Sequence, residues 1–190
     1  MKYLIVYAHP HPNSFNRALL GAVERRLKET GDPYDVRDLY ALEFDPVLAR
    51  EELAPGGAKD ALRDAERERN YVAGADTLIF IYPVWWFAMP AIMKGYIDRV
   101  FSEGFAFASE GGRFRGLLGG KKAFIINTTG SPREILDRRG YLDAMRTTTD
   151  TGIFEFCGIE VLAHRYFFAV PEAEEAARLI MLEEVTKLGF

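Results

Sequence analysis

Apolar positions along this chain switch repeatedly between two spacings. Lys2 to Ala8 (KYLIVYA) is a short continuous apolar run of strand-forming residues, the pattern of a strand covered on both faces. Phe15, Ala18, Leu19, Ala22, Val23 and Leu27 then recur at helical spacing, and Gly31 and Pro33 stop that helix. A weaker strand is predicted at Tyr34 to Leu39. A charged helix follows at Ala58 to Tyr71, behind a loop around Pro55-Gly56-Gly57. Thr77 to Tyr82 (TLIFIY) reads as a buried strand. The next helix turns Ile92, Met93, Tyr96, Ile97, Val100 and Phe101 inward and Lys94 and Asp98 outward. Lys122 to Asn127 gives a fourth strand, Glu134 to Cys157 a helical region, Glu160 to Ala169 a fifth strand, and Glu172 to Leu188 a last helix.

Strand and helix alternate from end to end, which implies α/β architecture with a parallel sheet and helices on both faces. Right-handed crossovers leave few arrangements, and five strands suit the doubly wound order 2-1-3-4-5. No repeat, low-complexity run or linker interrupts the pattern, so one domain over residues 1–190 is expected.

In that order the chain leaves strands one and three in opposite directions, and ligands bind beyond the carboxyl ends of the strands at such a point. Three chemically rich loops converge there: AHPHPNSFN (Ala8 to Asn16), PVWWFAMP (Pro83 to Pro90) and TTGSP (Thr128 to Pro132). Asn13 or Ser14 can cap the first helix, whose free N–H groups and dipole favour an anion, with His9 and Asn16 adding donors. Trp85, Trp86 and Phe87, held between prolines, offer a surface for a flat heteroaromatic ring. Thr128, Thr129 and Gly130 are expected to leave backbone N–H groups at the same crevice. A ligand with a phosphate at one end and a planar ring at the other would satisfy all three loops.

Two phosphate motifs are missing. The first loop lacks the GxGxxG of a dinucleotide fold, and GGRFRGLLGGKK (Gly111 to Lys122) is no P-loop, since Arg115 stands at the first required glycine and Lys122 at the Ser/Thr position. Its glycines are read as a turn with a basic rim.

Composition narrows the classes further. The 28 acidic residues against 24 basic ones give a net charge of −4, no broad field for nucleic acid. One cysteine, Cys157, rules out an internal disulfide framework, and its FEFCGIEV setting reads as a small buried hydrophobe. Three dispersed histidines give no metal-ligand spacing, so no metal is expected. The opening apolar run is too short for a signal peptide, and the uncharged stretch from Thr77 to Met93 is interrupted by Pro83 and Pro90. A soluble, cytoplasmic protein without membrane insertion is expected.

These loops resemble those of the flavodoxin-like NAD(P)H:quinone oxidoreductases, the DT-diaphorase family, here in a short bacterial form. AHPHPNSFN is similar to the family's first flavin loop, and Pro83 to Phe101 to its second loop and following helix. FAF (Phe105 to Phe107), TTGS (Thr128 to Ser131) and GIFEFCG (Gly152 to Gly158) fall in matching order. The resemblance implies a flavodoxin-like sheet and a bound flavin. His9, Asn13, Ser14, Phe15, Asn16 and Ala18 would line its phosphate and ribityl region. Pro83, Val84, Trp85, Trp86 and Phe87 would line the ring edge, with Thr128, Thr129, Gly130 and Ser131 at the pyrimidine side. It implies hydride transfer in two steps, from NAD(P)H to the flavin and from the flavin to a quinone or similar flat acceptor. Trp86 and Phe87 would stack and position, and Gly130 and Tyr141 would stabilise the reduced ring. The SFN triplet favours FAD, with FMN the alternative. The family also implies a homodimer with its active site at the interface. Phe105, Phe107 and Tyr166 to Phe168 are candidates for that surface and equally for the core.

One departure stands out. Leu136 and Leu142 occupy the positions of the Tyr and His thought to assist charge relay in mammalian members. Tyr141 is one residue away, with Arg133, Arg138 and Arg139 nearby; one of these, or the backbone N–H groups, would have to stand in for that pair, and the expectation of hydride transfer does not depend on which. His164 falls in a strand and is read as structural. The rival functions are a one-electron flavodoxin, against which the first loop and the modest charge argue, and a regulatory subunit of a potassium-efflux system, a role that some compact bacterial relatives play.

Overall fold

The computed structural model describes residues 1–53 and 63–190. The expected loop at Pro55-Gly56-Gly57 and the first residues of the helix expected from Ala58 lie outside the described residues.

Five strands form one parallel sheet in the order β2-β1-β3-β6-β7. They are β1 (Tyr3–Tyr7), β2 (Tyr34–Asp38), β3 (Thr77–Pro83), β6 (Lys122–Thr128) and β7 (Glu160–Phe167). This is the predicted 2-1-3-4-5 arrangement, the later numbers rising because a hairpin intervenes. β1 and β3 are buried at every position, as their unbroken apolar runs require. One face of the sheet, with Ile5, Tyr7, Ile79, Ile81 and Ile126, packs against α1 (Phe15–Thr30) and α6 (Glu175–Thr186). The other, with Leu4, Val6, Leu78, Phe80 and Ile125, meets α3 (Ala91–Val100) and Val72 of α2 (Arg63–Gly74). Each such fully buried Ile, Leu or Phe contributes roughly 2 kcal/mol of transfer free energy.

Ser14 caps α1, its Oγ accepting from the Arg17 N–H at 3.2 Å, and Gly31 ends the helix in the left-handed region at φ 76°. Ala18, expected on the inward face of α1, is exposed, while Leu19, Leu20, Ala22, Val23 and Leu27 form the buried stripe. On the far face, Arg37 pairs with the fully buried Glu68 at 2.8 Å and lies over the Tyr71 ring.

Two regions depart from the pattern. The stretch read as a turn with a basic rim is one arm of a hairpin, β4 (Phe107–Glu110) with β5 (Arg113–Gly116). Gly111 and Gly112, at φ 58° and 77°, make the tight two-residue turn that a right-twisted hairpin needs. The helical region from Glu134 is broken into α4 (Arg133–Arg138), α5 (Tyr141–Arg146) and a π-helical segment, Thr147–Glu155. Gly140, in the left-handed region, turns the chain between α4 and α5. The last helix begins at Glu175, after a single 3-10 turn at Val170–Glu172.

Candidate functional site

The first loop explains the alternation His-Pro-His-Pro. Pro10 and Pro12 have no N–H, so only the amides of His11 and Asn13 need partners. His9 Nδ1 accepts from the His11 N–H at 3.0 Å, and His11 Nδ1 accepts from the Asn13 N–H at 3.1 Å. Each ring closes a small turn over a proline, and each then carries its hydrogen on Nε2. Burial holds His9 below the ordinary imidazole range, which keeps this donor neutral. Ser14 N–H bonds back to His11 O, and Ser14 Oγ also meets the Tyr7 hydroxyl at 3.3 Å.

The N–H groups of Phe15 and Asn16, which open α1, take no partner among the described residues. Asn16 is buried; its Nδ2 donates to Thr128 Oγ1 at 2.7 Å, and its buried Oδ1 has no partner among the described residues. A buried, unpaired amide oxygen costs about 1–3 kcal/mol unless something donates to it. The Phe15 side chain belongs to the core, edge-on to Phe167, so only its backbone faces this end of the site. Asn13 is exposed.

The second loop is a closed four-residue turn. Trp85 and Ala88 exchange both backbone hydrogen bonds, at 3.0 and 3.1 Å, and Trp86 and Phe87 between them have φ of 52° and 59°. Bulky aromatics in that region are strained by about 1–3 kcal/mol each, and such strain gathers at ligand sites. Three adjacent bulky aromatics could equally be core residues. None is: Trp86 is 94% exposed, and Trp85 and Phe87 are 42% exposed. Trp85 lies edge-on to His9 at 6.2 Å, which links the first and second loops. Phe87 stacks on Tyr141 at 4.0 Å, so Tyr141 is at the site although Leu136 and Leu142 are buried beneath it.

The third loop offers less than expected. Thr129 N–H is taken by Phe167 O at 2.8 Å because β7 runs on beside it, and Thr128 lies inside β6 with its carbonyl accepting from Val84 N–H. Gly130 and Ser131 are the residues whose N–H groups have no partner among the described residues. Val84, Trp86, Phe87, Thr129, Gly130, Ser131 and Leu136 together line a cleft of about 250 Å³. Pro83 is buried at the end of β3, immediately before this turn. A second groove of about 290 Å³ lies beside the first loop, lined by His9, Pro10, Pro12, Arg17, Asp38 and Tyr40.

Arg17 and Tyr40 did not emerge from the sequence as site residues. Nor did Asn127, although a polar residue late in the apolar strand KAFIINT was a usable signal. Asn127 is buried and donates to the Tyr82 carbonyl at 3.1 Å.

An open parallel sheet whose switch point joins amides without partners among the described residues to an exposed aromatic turn offers donors for an anion beside a surface for a flat ring. Residues 1–188 match the family described as "Flavodoxin-like fold". The chain is 35% identical over 184 residues to an uncharacterized NAD(P)H oxidoreductase of Haemophilus influenzae, covering 96% of this chain and 91% of that one. It is 36% identical to ribosyldihydronicotinamide dehydrogenase [quinone] of Mus musculus, covering 95% and 87%. The NAD(P)H:quinone oxidoreductase from Methanothermobacter marburgensis superposes with a TM-score of 0.84 at 29% identity, covering 100% of this chain and 95% of that one. The chain belongs to the flavodoxin-like NAD(P)H:quinone oxidoreductase family.

Proposed function

We propose that this protein is a flavin-dependent NAD(P)H:quinone oxidoreductase. The observation that carries the reading is the meeting, beyond the carboxyl ends of β1 and β3, of amides at the start of α1 that have no partner among the described residues with an exposed, strained aromatic turn. The buried, unpaired Asn16 Oδ1 between them suits a ligand bearing hydroxyl donors, as a ribityl chain does. When bound, the flavin supplies the redox chemistry, taking a hydride from NAD(P)H and passing it to a quinone or similar flat acceptor.

The chain's own groups do the rest. Phe15 N–H, Asn16 N–H and the Nε2–H of His9 hold the phosphate, with Ser14 fixing the helix end and exposed Ala18 leaving room on the next turn. Pro83, Val84, Trp85, Trp86 and Phe87 position the ring. Thr128 and Thr129 shape the cleft wall, while the N–H groups of Gly130 and Ser131 stabilise negative charge on the pyrimidine side. Tyr141, stacked on Phe87, holds that ring in place. FAD is our first assignment and FMN the alternative. The groove of Arg17 and Tyr40 beyond the phosphate end has room and charge for the second phosphate and adenosine.

We also infer a homodimer with the site completed across its interface. In support, Phe114 and Phe156 are 62% and 40% exposed in mutual contact, and Trp86 stands almost wholly in water in a single copy. Among the described residues no helix is long and apolar enough to cross a membrane.

The test is a visible spectrum of the purified protein supplied with FAD or FMN, repeated anaerobically after NADH or NADPH and then after a quinone. Yellow protein that bleaches and recovers bears out the proposal. Yellow protein that neither nucleotide bleaches points to an electron carrier or a regulatory subunit. Failure to bind either flavin overturns it.

A further inference from the structure

Beneath the cleft a buried polar line runs across three strands. Asn127 Nδ2 donates to the carbonyl of Tyr82, and a carbonyl can only accept, so Asn127 Oδ1 is the atom facing His164 Nε2 at 2.6 Å. Nε2 therefore carries a hydrogen. The other ring nitrogen, Nδ1, lies 2.6 Å from Asp150 Oδ1, an acceptor that also requires a hydrogen. The His164 side chain is 3% exposed and that of Asp150 15%. Burial, the largest influence, and the Arg146 guanidinium pull this ring's pKa below its ordinary value, against the Asp150 carboxylate, which raises it. A neutral Nε2–H ring beside an ionised Asp150 would set one lone pair against another at 2.6 Å, so a hydrogen lies between Nδ1 and Oδ1. The other titratable groups facing the ring are Tyr166, stacked on it at 4.2 Å with its hydroxyl 3.5 Å from Nδ1, and Tyr82, both held neutral by burial.

The line's position gives it a consequence. Tyr82 immediately precedes Pro83 and the aromatic turn, and Asn127 immediately precedes Thr128, Thr129 and Gly130. One side chain thus ties the roots of both loops that line the cleft, and His164 fixes that side chain. Asp150 reaches the ring from the π-helical segment, a form that recurs at functional sites.

We propose that Asp150, His164 and Asn127 form a positioning relay beneath the ring-binding loops, in which a buried imidazolium fixes Asn127, sets the spacing of the two loops and favours the electron-rich, reduced state of the bound ring. The proposal rests on the flavin reading above. It gives this chain a fixed polar support below the cleft, where Leu136 and Leu142 bring no polar group from above.

The test pairs the wild type with Asp150→Asn, which keeps the shape of the site and a partner for Nδ1, and with His164→Leu. Nitrogen-15 spectra of the wild-type imidazoles should show hydrogens on both His164 nitrogens at neutral pH. In Asp150→Asn, Nε2–H should persist and Nδ1–H vanish. Fluorescence titration should show flavin bound roughly tenfold more weakly by Asp150→Asn, the loss of one charge-assisted hydrogen bond, with a more negative midpoint potential. His164→Leu, if folded by circular dichroism, should show a larger change in the same direction. A singly protonated His164 in the wild type overturns the proposal. So does a folded Asp150→Asn with unchanged flavin affinity and potential. Wild-type protein that takes up neither FAD nor FMN overturns the flavin reading itself, and this role for His164 with it.

Discussion

Asn16 and Thr128 stand 112 positions apart in the chain, and their side chains meet at 2.7 Å, Nδ2 donating to Oγ1. The bond joins the first turn of α1 to the last residue of β6, so the phosphate end and the ring end of the proposed site share one buried contact.

Replacing Asn16 by Ala therefore acts on both fold and ligand. Thr128 loses its buried donor, a cost of about 1–3 kcal/mol, but removal of the buried, unpaired Oδ1 offsets a similar amount, so the apoprotein's unfolding free energy is expected to fall by no more than about 1 kcal/mol. The site loses the unpaired Oδ1, and flavin should bind roughly tenfold more weakly. Denaturant unfolding of the apoprotein and fluorescence titration separate the two effects. Destabilisation with unchanged flavin affinity would make Asn16 a structural residue alone.

Trp86 offers the opposite trade. It is 94% exposed, so its side chain adds almost no packing, yet its φ of 52° is one that glycine adopts without strain. Trp86→Gly is expected to leave the apoprotein as stable as the wild type or to raise it by about 1 kcal/mol. The same variant should release flavin faster and reduce it more slowly. A variant that is less stable and fully active would refute the view that strain in this turn serves the ligand.

The contrast between these two residues shows what the sequence made legible. Strand order, the switch point and the three loops follow from hydrophobic spacing and handedness, which act locally and survive in one dimension. The Asn16–Thr128 bond does not, because nothing at either position names its partner. The hairpin from Phe107 to Gly116 was obscured by its glycines: Gly111-Gly112 is a turn signal, but the basic residues after it suggested a rim. The helix expected from Glu134 failed at Gly140 and in the threonine run at 147–149, where β-branched side chains weaken α-helical packing. In the third loop, composition suggested free amides at Thr128 and Thr129, and only the extension of β7 reveals that Phe167 takes one of them.

Cys157 is buried in the core cluster, and burial pushes its thiol from 9.0 up to about 11. In the unfolded chain the thiol ionises first as pH rises. Its contribution to stability is therefore whole below about 9 and is lost between about 9 and 11. The stability of the wild type relative to Cys157→Ala should fall across that window and be flat below it. Cys157 lines a cavity of about 440 Å³ with Phe107 and Phe156 but is only 3% exposed, so at pH near 8 alkylation of the folded protein should proceed only at the rate of unfolding; rapid labelling would mean that the thiol is reachable through that cavity.

His9 gives the matching test at low pH. Its Nδ1 accepts from the His11 N–H, and burial pulls the ring's pKa below 6.5. Protonating Nδ1 would set one N–H against another and open the turn over Pro10. The unfolded chain takes up the proton near 6.5, before the folded one does, so this contribution is whole above 6.5 and is lost as pH falls toward and through the lower folded value. His9→Asn is the suitable control, because an Asn oxygen can accept from the same i+2 N–H without titrating in this range. The stability of the apoprotein relative to His9→Asn is expected to fall as pH is lowered from 7 to 5. A bound phosphate reverses the bias, since an anion beside Nε2 favours the charged ring. With saturating flavin the same pH-dependent loss should shrink, and comparing unfolding with and without flavin at each pH would show it. An identical slope in both conditions would place the phosphate away from His9, and with it the first loop's part in the site would fall.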